Sequence, residues 1–416
     1  MEKLIKKYCD MNLVVRIIIG FVLGAIFGIF FKNISIIDSL GVLFVGSMKA
    51  IAPVLVFLLV CCSVASASDS IGKKFRLVVF LYILNTFLSA IVSVVSNFMF
   101  PITVELPSKT ADVNSTSVGI SDVINNLLTS VVANPIYSIS NANYLGILFW
   151  AVIIGICLKK VANKVTISVI EDFSEAMSKA VSGIIQFAPI GVFGLVYTSV
   201  VKSGVNIFKD YGKLLLLLVG CMLVCALIIE PLIVFTLLKK NPYPLLFKCF
   251  KESGITAFFT RSSAANIPIN IKLCENLGLS KEFYSVSIPL GATISTNAAA
   301  VTISTMTLVL CNTLGVLVDI PSAIILVVMS TIGACGASGV DGGSLLLIPM
   351  ACSLFGISDN LAMYMVGVGF IIGVIQDAVE TAVNSSGGVL LSATAEYWYK
   401  KKNIKNLSVL KDDSNE

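Results

Sequence analysis

Asp377, Glu380, Thr381 and Asn384 follow one another at offsets of three, four and seven residues from the first, so on an α-helix all four project from one face. Two carboxylates, a hydroxyl and an amide on one stripe of an otherwise apolar run suit the binding of a small polar molecule or an ion. Ionisable groups inside membrane-length apolar sequence are functional by default, because hydrocarbon offers them no solvation. Three further polar strings interrupt the same half of the chain: Thr260 to Pro268, which holds Arg261, Ser262 and Ser263; Gly291 to Asn297; and Gly333 to Ser344, which holds Asp341. Covalent catalysis fits poorly. The chain has no histidine, which excludes Ser-His-Asp and Cys-His nucleophiles and most zinc sites. Asp341 and Asp377 leave an intramembrane aspartyl protease as a remote alternative; such an enzyme needs two carboxylates sharing a proton, and neither residue stands in a GxGD-type context. The 11 cysteines form no CxxC pair and read as small hydrophobes, with neither disulfide nor metal expected.

The elements that must carry these strings are membrane helices. Of 416 residues, 56% are hydrophobic and 13% charged, against about 25% charged in an average soluble domain. Spans are expected near 12–31, 38–67, 76–103, 143–160, 180–201 and 212–238, with the N-terminal one retained rather than cleaved as a signal peptide. The stretch 105–142 reads as a polar outer loop with a helical piece near 123–132. A net charge of +5 could suggest nucleic acid, but the basic residues are dispersed to the turns. Lys73, Lys74 and Arg76, then Lys159, Lys160 and Lys164, then Lys239, Lys240, Lys248 and Lys251, and Lys400 to Lys402 with Lys405 alternate so as to place both termini in the cytoplasm. Lys202, Lys209 and Lys213 argue weakly the other way.

Beyond Leu238 the apolar segments are broken at four places: the three strings above and Asp377 to Gly388. Lipid cannot satisfy a free backbone NH or C=O, so irregular backbone survives at membrane depth only inside protein or beside a wet cavity. Paired breaks of this kind mark transporter sites, where half-helix NH ends face anionic groups and free carbonyls hold cations. Close packing by small residues is the structural alternative.

The strings Ala257 to Pro268, Gly333 to Pro349 and Glu380 to Ser386 resemble the dicarboxylate/amino acid:cation symporter family, and within it the bacterial serine/threonine branch. The resemblance covers nearly the whole chain. It implies an all-α membrane protein of eight transmembrane helices plus two re-entrant helical hairpins, near 245–272 and 321–352, working as an elevator-type transporter in a homotrimer in the bacterial inner membrane. The scaffold would comprise roughly 10–67 and 140–205, the moving part roughly 76–103 and 210–398, and 399–416 a cytoplasmic tail. The implied function is sodium-coupled import of small neutral amino acids, with Na+ as coupling ion and no other cofactor.

Site residues carry over position by position. Asp377 is expected to take the substrate ammonium; Asn384 and the backbone of Ser262, Ser263, Ala337 and Gly339 its carboxylate, with Thr381 on the same face. Where the acidic-substrate branch has an arginine before Thr381, this chain has Glu380, which disfavours acidic substrates by like charge and suits a substrate hydroxyl. Arg261 is expected to pair with Glu380. For sodium, one site would use Gly291, Thr293, Ser295, Asn297 and Asn384, a second Thr331 and Ile332 with Thr293, and a third Tyr82, Asn85 and Thr86 with Asn297. The family's Asn-Met-Asp motif reads Ser295-Thr296-Asn297 here, and its aspartate four residues after Asn384 is Gly388, so two carboxylates are missing. That loss keeps open a carrier or exchanger of the same fold that is independent of sodium or coupled to protons through Asp377 or Glu380.

Overall fold

The computed structural model describes residues 11, 13–32, 34–66, 73–105, 128, 129, 131–336 and 342–400, and among them regular structure is helical. The helices in chain order are α1 (Leu13–Phe30), α2 (Ser35–Ala65), α3 (Lys73–Met99), α4 (Pro135–Ser140), α5 (Tyr144–Val161), α6 (Lys164–Ile185), α7 (Ala188–Ser203), α8 (Ile207–Val224) and α9 (Glu230–Leu238). There follow α10 (Tyr243–Cys249), α11 (Ile255–Thr260), α12 (Ile267–Asn276), α13 (Lys281–Ile294), α14 (Asn297–Leu314), α15 (Ile320–Gly336), α16 (Ile348–Ser353) and α17 (Asp359–Lys400). Seven helical segments among the described residues are long and apolar enough to cross a membrane, and α6 with α7, bent by 53°, would make an eighth.

Packing follows membrane rules rather than those of a water-soluble core. On α1 the buried residues are Ile17, Gly20, Gly24 and Gly28, whereas Ile18, Val22, Leu23 and Ile26 are exposed. Large side chains therefore face outward and the glycine stripe faces α7, where a Cβ at Gly24 would come within 2.6 Å of the Phe193 carbonyl oxygen. Without a hydrophobic driving force between helices, such backbone approach supplies the dispersion contacts. The helices α1, α2, α5, α6 and α7 pack chiefly on one another, while α3 and α8 to α16 pack chiefly around α17 and α14. A largely apolar crevice runs between the two groups, with Val60, Val64, Val152 and Ile156 on one wall and Val79, Ile83, Val286 and Leu290 on the other.

Two expectations about the elements are corrected. The span placed at 180–201 is not one straight helix: Pro189 lacks an NH and its ring crowds the preceding turn, so the chain bends by 53° between α6 and α7. The preceding α6 exposes Glu171, Asp172, Glu175 and Lys179 and is amphipathic. The break expected at Asp377 to Gly388 is absent, because α17 runs unbroken for 42 residues. Its polar residues satisfy themselves within the helix, Thr381 Oγ1 donating to the Asp377 carbonyl at 2.8 Å and Ser386 Oγ to the Ala382 carbonyl at 2.7 Å.

The other breaks are present where residues are described. The chain leaves the helix at Ser295 and Thr296 between α13 and α14. Between α11 and α12 it turns at Arg261 to Asn266, with Arg261 in the left-handed region at φ 54°. Ala337, Gly339 and Asp341 lie outside the described residues, as do most of the 105–142 stretch and the tail beyond Lys400.

Candidate functional site

The turn at Arg261 to Asn266, here the first tip, Ser344 of the second polar string and the α13–α14 break meet on one long helix. Arg261, swung out by its left-handed backbone, donates from Nε to Asp377 Oδ2 at 2.7 Å, and its Nη2 lies 2.6 Å from the same oxygen. Both side chains are mostly buried, 12% and 8% exposed, which places this among the ion pairs that matter energetically. A positive φ in a bulky residue costs energy and clusters at functional sites. Here it aims the guanidinium across to α17. The partner expected for Arg261 was Glu380, and the structure assigns Asp377 instead.

One oxygen of Glu380 is surrounded by neutral donors. Its Oε2 accepts from Gln376 Nε2 at 2.6 Å, Thr302 Oγ1 at 2.7 Å and Ser344 Oγ at 3.0 Å. Three elements thus converge on one carboxylate: α17, α14 and the segment leading into α16. Asn384 Oδ1 accepts from the Ala298 NH at 2.8 Å and so satisfies one of the free donors at the start of α14. The first tip is pinned to α17 by a buried cluster in which Asn266 Nδ2 reaches Ser385 Oγ at 2.8 Å and Ser253 Oγ at 3.1 Å, and Asn270 Nδ2 reaches Ser385 Oγ at 2.9 Å. Ser262 Oγ accepts from the Ala265 NH within the tip itself.

Of the residues expected to bind sodium, Gly291 and Asn384 line one small cavity between the first tip, α13 and α17, together with Ser263, expected at the substrate, and Gly388, where the family's aspartate is missing. The Tyr82 hydroxyl lies within reach of the carbonyls of Ser287 and Gly388 and of Ser392 Oγ, and any Cβ at Gly291 would crowd it. Thr86 and Thr293 turn their hydroxyls back on their own helices, to the carbonyls of Tyr82 and Leu290. Thr331 does the same to Val327, and with Ile332 it lines the apolar crevice. Thr296 ties the break to α15 through the Ala334 carbonyl at 2.7 Å.

Asn85 and Asn297 are brought together on a residue that the sequence reading passed over. Glu230 is fully buried, and its Oε1 accepts from Asn85 Nδ2 at 3.3 Å and Asn297 Nδ2 at 3.2 Å. The available signal was a lone carboxylate inside the apolar run Leu214 to Leu238, followed by Pro231. Gln376, Thr302 and Ser344 were also missed, being unremarkable until folding sets them around Glu380.

A profile of the sodium:dicarboxylate symporter family matches residues 13–398. The chain belongs to this family. The symporter chain is 51% identical over 396 residues to the serine/threonine transporter SstT of Bifidobacterium adolescentis, covering 95% of the chain and 92% of that protein. It is likewise 51% identical to SstT of Streptococcus agalactiae and 49% to SstT of Streptococcus thermophilus, covering 98% of each. These relatives are transporters, and with the apolar helices they make the chain a multi-pass membrane protein and not an enzyme. The aspartyl protease alternative falls with that assignment, and Asp377 is in any case held by Arg261.

Proposed function

We propose that this symporter imports serine and threonine together with sodium across the bacterial inner membrane. The observation that carries the reading is the convergence of Arg261, Asp377, Glu380 and Asn384 on α17 in a chain half identical, along nearly its whole length, to serine/threonine transporters. The substrate ammonium takes the place of the Arg261 guanidinium at Asp377, so the buried carboxylate exchanges one cation for another and is never left bare. NH groups of the two tips, at Ser262, Ser263, Ala337 and Gly339, with Asn384, receive the substrate carboxylate. Glu380 already collects hydroxyl donors from Thr302 and Ser344, and a substrate hydroxyl fits that pattern, whereas an acidic side chain meets like charge.

The group of α1, α2, α5, α6 and α7 serves as scaffold, and the group built around α17 carries the substrate, sliding along the apolar crevice as an elevator within a homotrimer. The two tips are those of re-entrant hairpins, and the basic clusters at Lys159 and Lys160 and at Lys239 to Lys251 support cytoplasmic termini. Radiolabelled serine uptake into proteoliposomes tests the reading, with an inward sodium gradient against a matched choline control. Accumulation that requires sodium supports it. Sodium-independent or proton-driven uptake supports the second reading, which rests on the missing carboxylates at Asn297 and Gly388, and refutes the first.

A further inference from the structure

Glu230 stands at an unusual point of the chain. Residues Cys225–Ile229 form a π-turn between α8 and α9, closed by the Glu230 NH on the Cys225 carbonyl. Such turns add a residue to the helix and redirect the side chains that follow, often at functional sites. Here Glu230 is turned inward onto α3 and α14, and no described ion pair includes it. Its surroundings are incomplete as an anion site and rich in oxygen. Asn85 and Asn297 both donate to Oε1, while Glu230 Oε2, Asn85 Oδ1, Asn297 Oδ1 and Ser295 Oγ have no hydrogen-bond partner. All four residues are at least nine-tenths buried.

We propose that Glu230 is the charged ligand of a coupling-cation site, holding one sodium ion with the side-chain oxygens of Asn85 and Asn297 and with Ser295 beside them. A carboxylate buried among neutral donors and a cation surrounded by neutral oxygens are each costly to desolvate; together they are complementary. Which end of an amide faces a carboxylate follows from its partners. With a cation present, both amides turn their oxygens toward Glu230. The present spacings of 3.2 and 3.3 Å are near the edge of about 3.4 Å between neighbouring oxygens in a six-oxygen shell around a hard cation.

The two glycines opposite explain why the charge comes from α9. At Gly387 any Cβ would overlap the Glu230 carboxylate, so the backbone of α17 closes directly over it. At Gly388 a Cβ would sit 3.7 Å from Ser295 Cβ and Oγ, in ordinary contact, so that position faces the Ser295 side of the same polar group. The carboxylates missing at Asn297 and Gly388 are therefore replaced by one that enters from the neighbouring helix.

This inference deepens the sodium-coupled reading, and direct ion binding separates the two. The purified full-length protein, Glu230→Gln, and Glu230→Gln with Gly388→Asp are compared for binding of radiolabelled sodium and for serine uptake in proteoliposomes. Glu230→Gln is expected to weaken sodium binding at least about tenfold, and Gly388→Asp, whose Cβ meets only ordinary contacts, to recover most of that loss. Should Glu230→Gln fail to fold, Asn297→Ala removes one oxygen, keeps the carboxylate, and is expected to weaken sodium binding. Sodium binding that is unchanged in Glu230→Gln, or absent from the unmodified protein, overturns the proposal. Sodium-independent uptake by a protein whose sodium binding still requires Glu230 leaves the site standing and refutes only the coupling.

Discussion

Replacing Arg261 by Gln leaves Asp377 as a buried carboxylate without a counter-charge. Removing one partner of a buried pair costs about 3–5 kcal/mol, and the exposures of 12% and 8% place this pair close to that regime. An unfolding entropy of roughly 2.1 cal/mol/K per residue converts the loss to a fall in Tm of about 3–6 °C for a chain of 416 residues. Asp377→Asn should cost a similar amount by stranding the guanidinium. The double variant sets two neutral amides face to face and should fall by clearly less than the sum, with a coupling of about 2 kcal/mol or more. A dye that reacts with thiols as they become accessible suits the assay, because Cys61, Cys221, Cys225, Cys249, Cys274, Cys311 and Cys352 are all buried. Serine uptake supplies the second readout: Asp377→Asn loses it, and the double variant stays inactive although part of the stability loss is relieved. Single variants that shift Tm by less than about 1 °C, or effects that simply add within about 0.5 kcal/mol, would refute a buried, coupled pair.

Other expectations follow from single contacts. Gly24→Ile forces α1 away from the Phe193 backbone and should lower the yield of monodisperse protein in gel filtration, whereas Val22→Ile on the exposed face should not. Glu380→Gln loses the charge assistance of three hydrogen bonds, worth about 1.5–3 kcal/mol, and should make the segment around Ser344 more sensitive to limited proteolysis. Asn384→Ala frees the Ala298 NH at the start of α14, with an expected loss of about 1 kcal/mol in thermal unfolding; an unchanged Tm would mean that this cap contributes nothing.

That Arg261 and the α13–α14 break join the Asp377 to Asn384 stripe was implied by the family resemblance; the amino-acid sequence by itself determined that the chain lives in a membrane, where most of its first spans run, that Asp377 to Asn384 form one stripe, and that the polar strings beyond Leu238 need shelter from lipid. Those facts are local: hydropathy sets the spans, helical period sets the stripe, and polar backbone strings cannot face lipid. Tertiary structure decided which group faces which. Period places Asp377 and Glu380 on one face but not the tip that approaches it, so Arg261 reaches the first while Thr302 and Ser344 take the second. The pair Gly387-Gly388 can end a helix or admit a neighbour, and the Glu230 carboxylate pressed against an unbroken α17 shows that it admits one. Glu230 itself, 67 residues from Asn297 and 145 from Asn85, becomes a site only when three helices bring them together, because the energy of a buried charge depends on its surroundings in space and not on its neighbours along the chain.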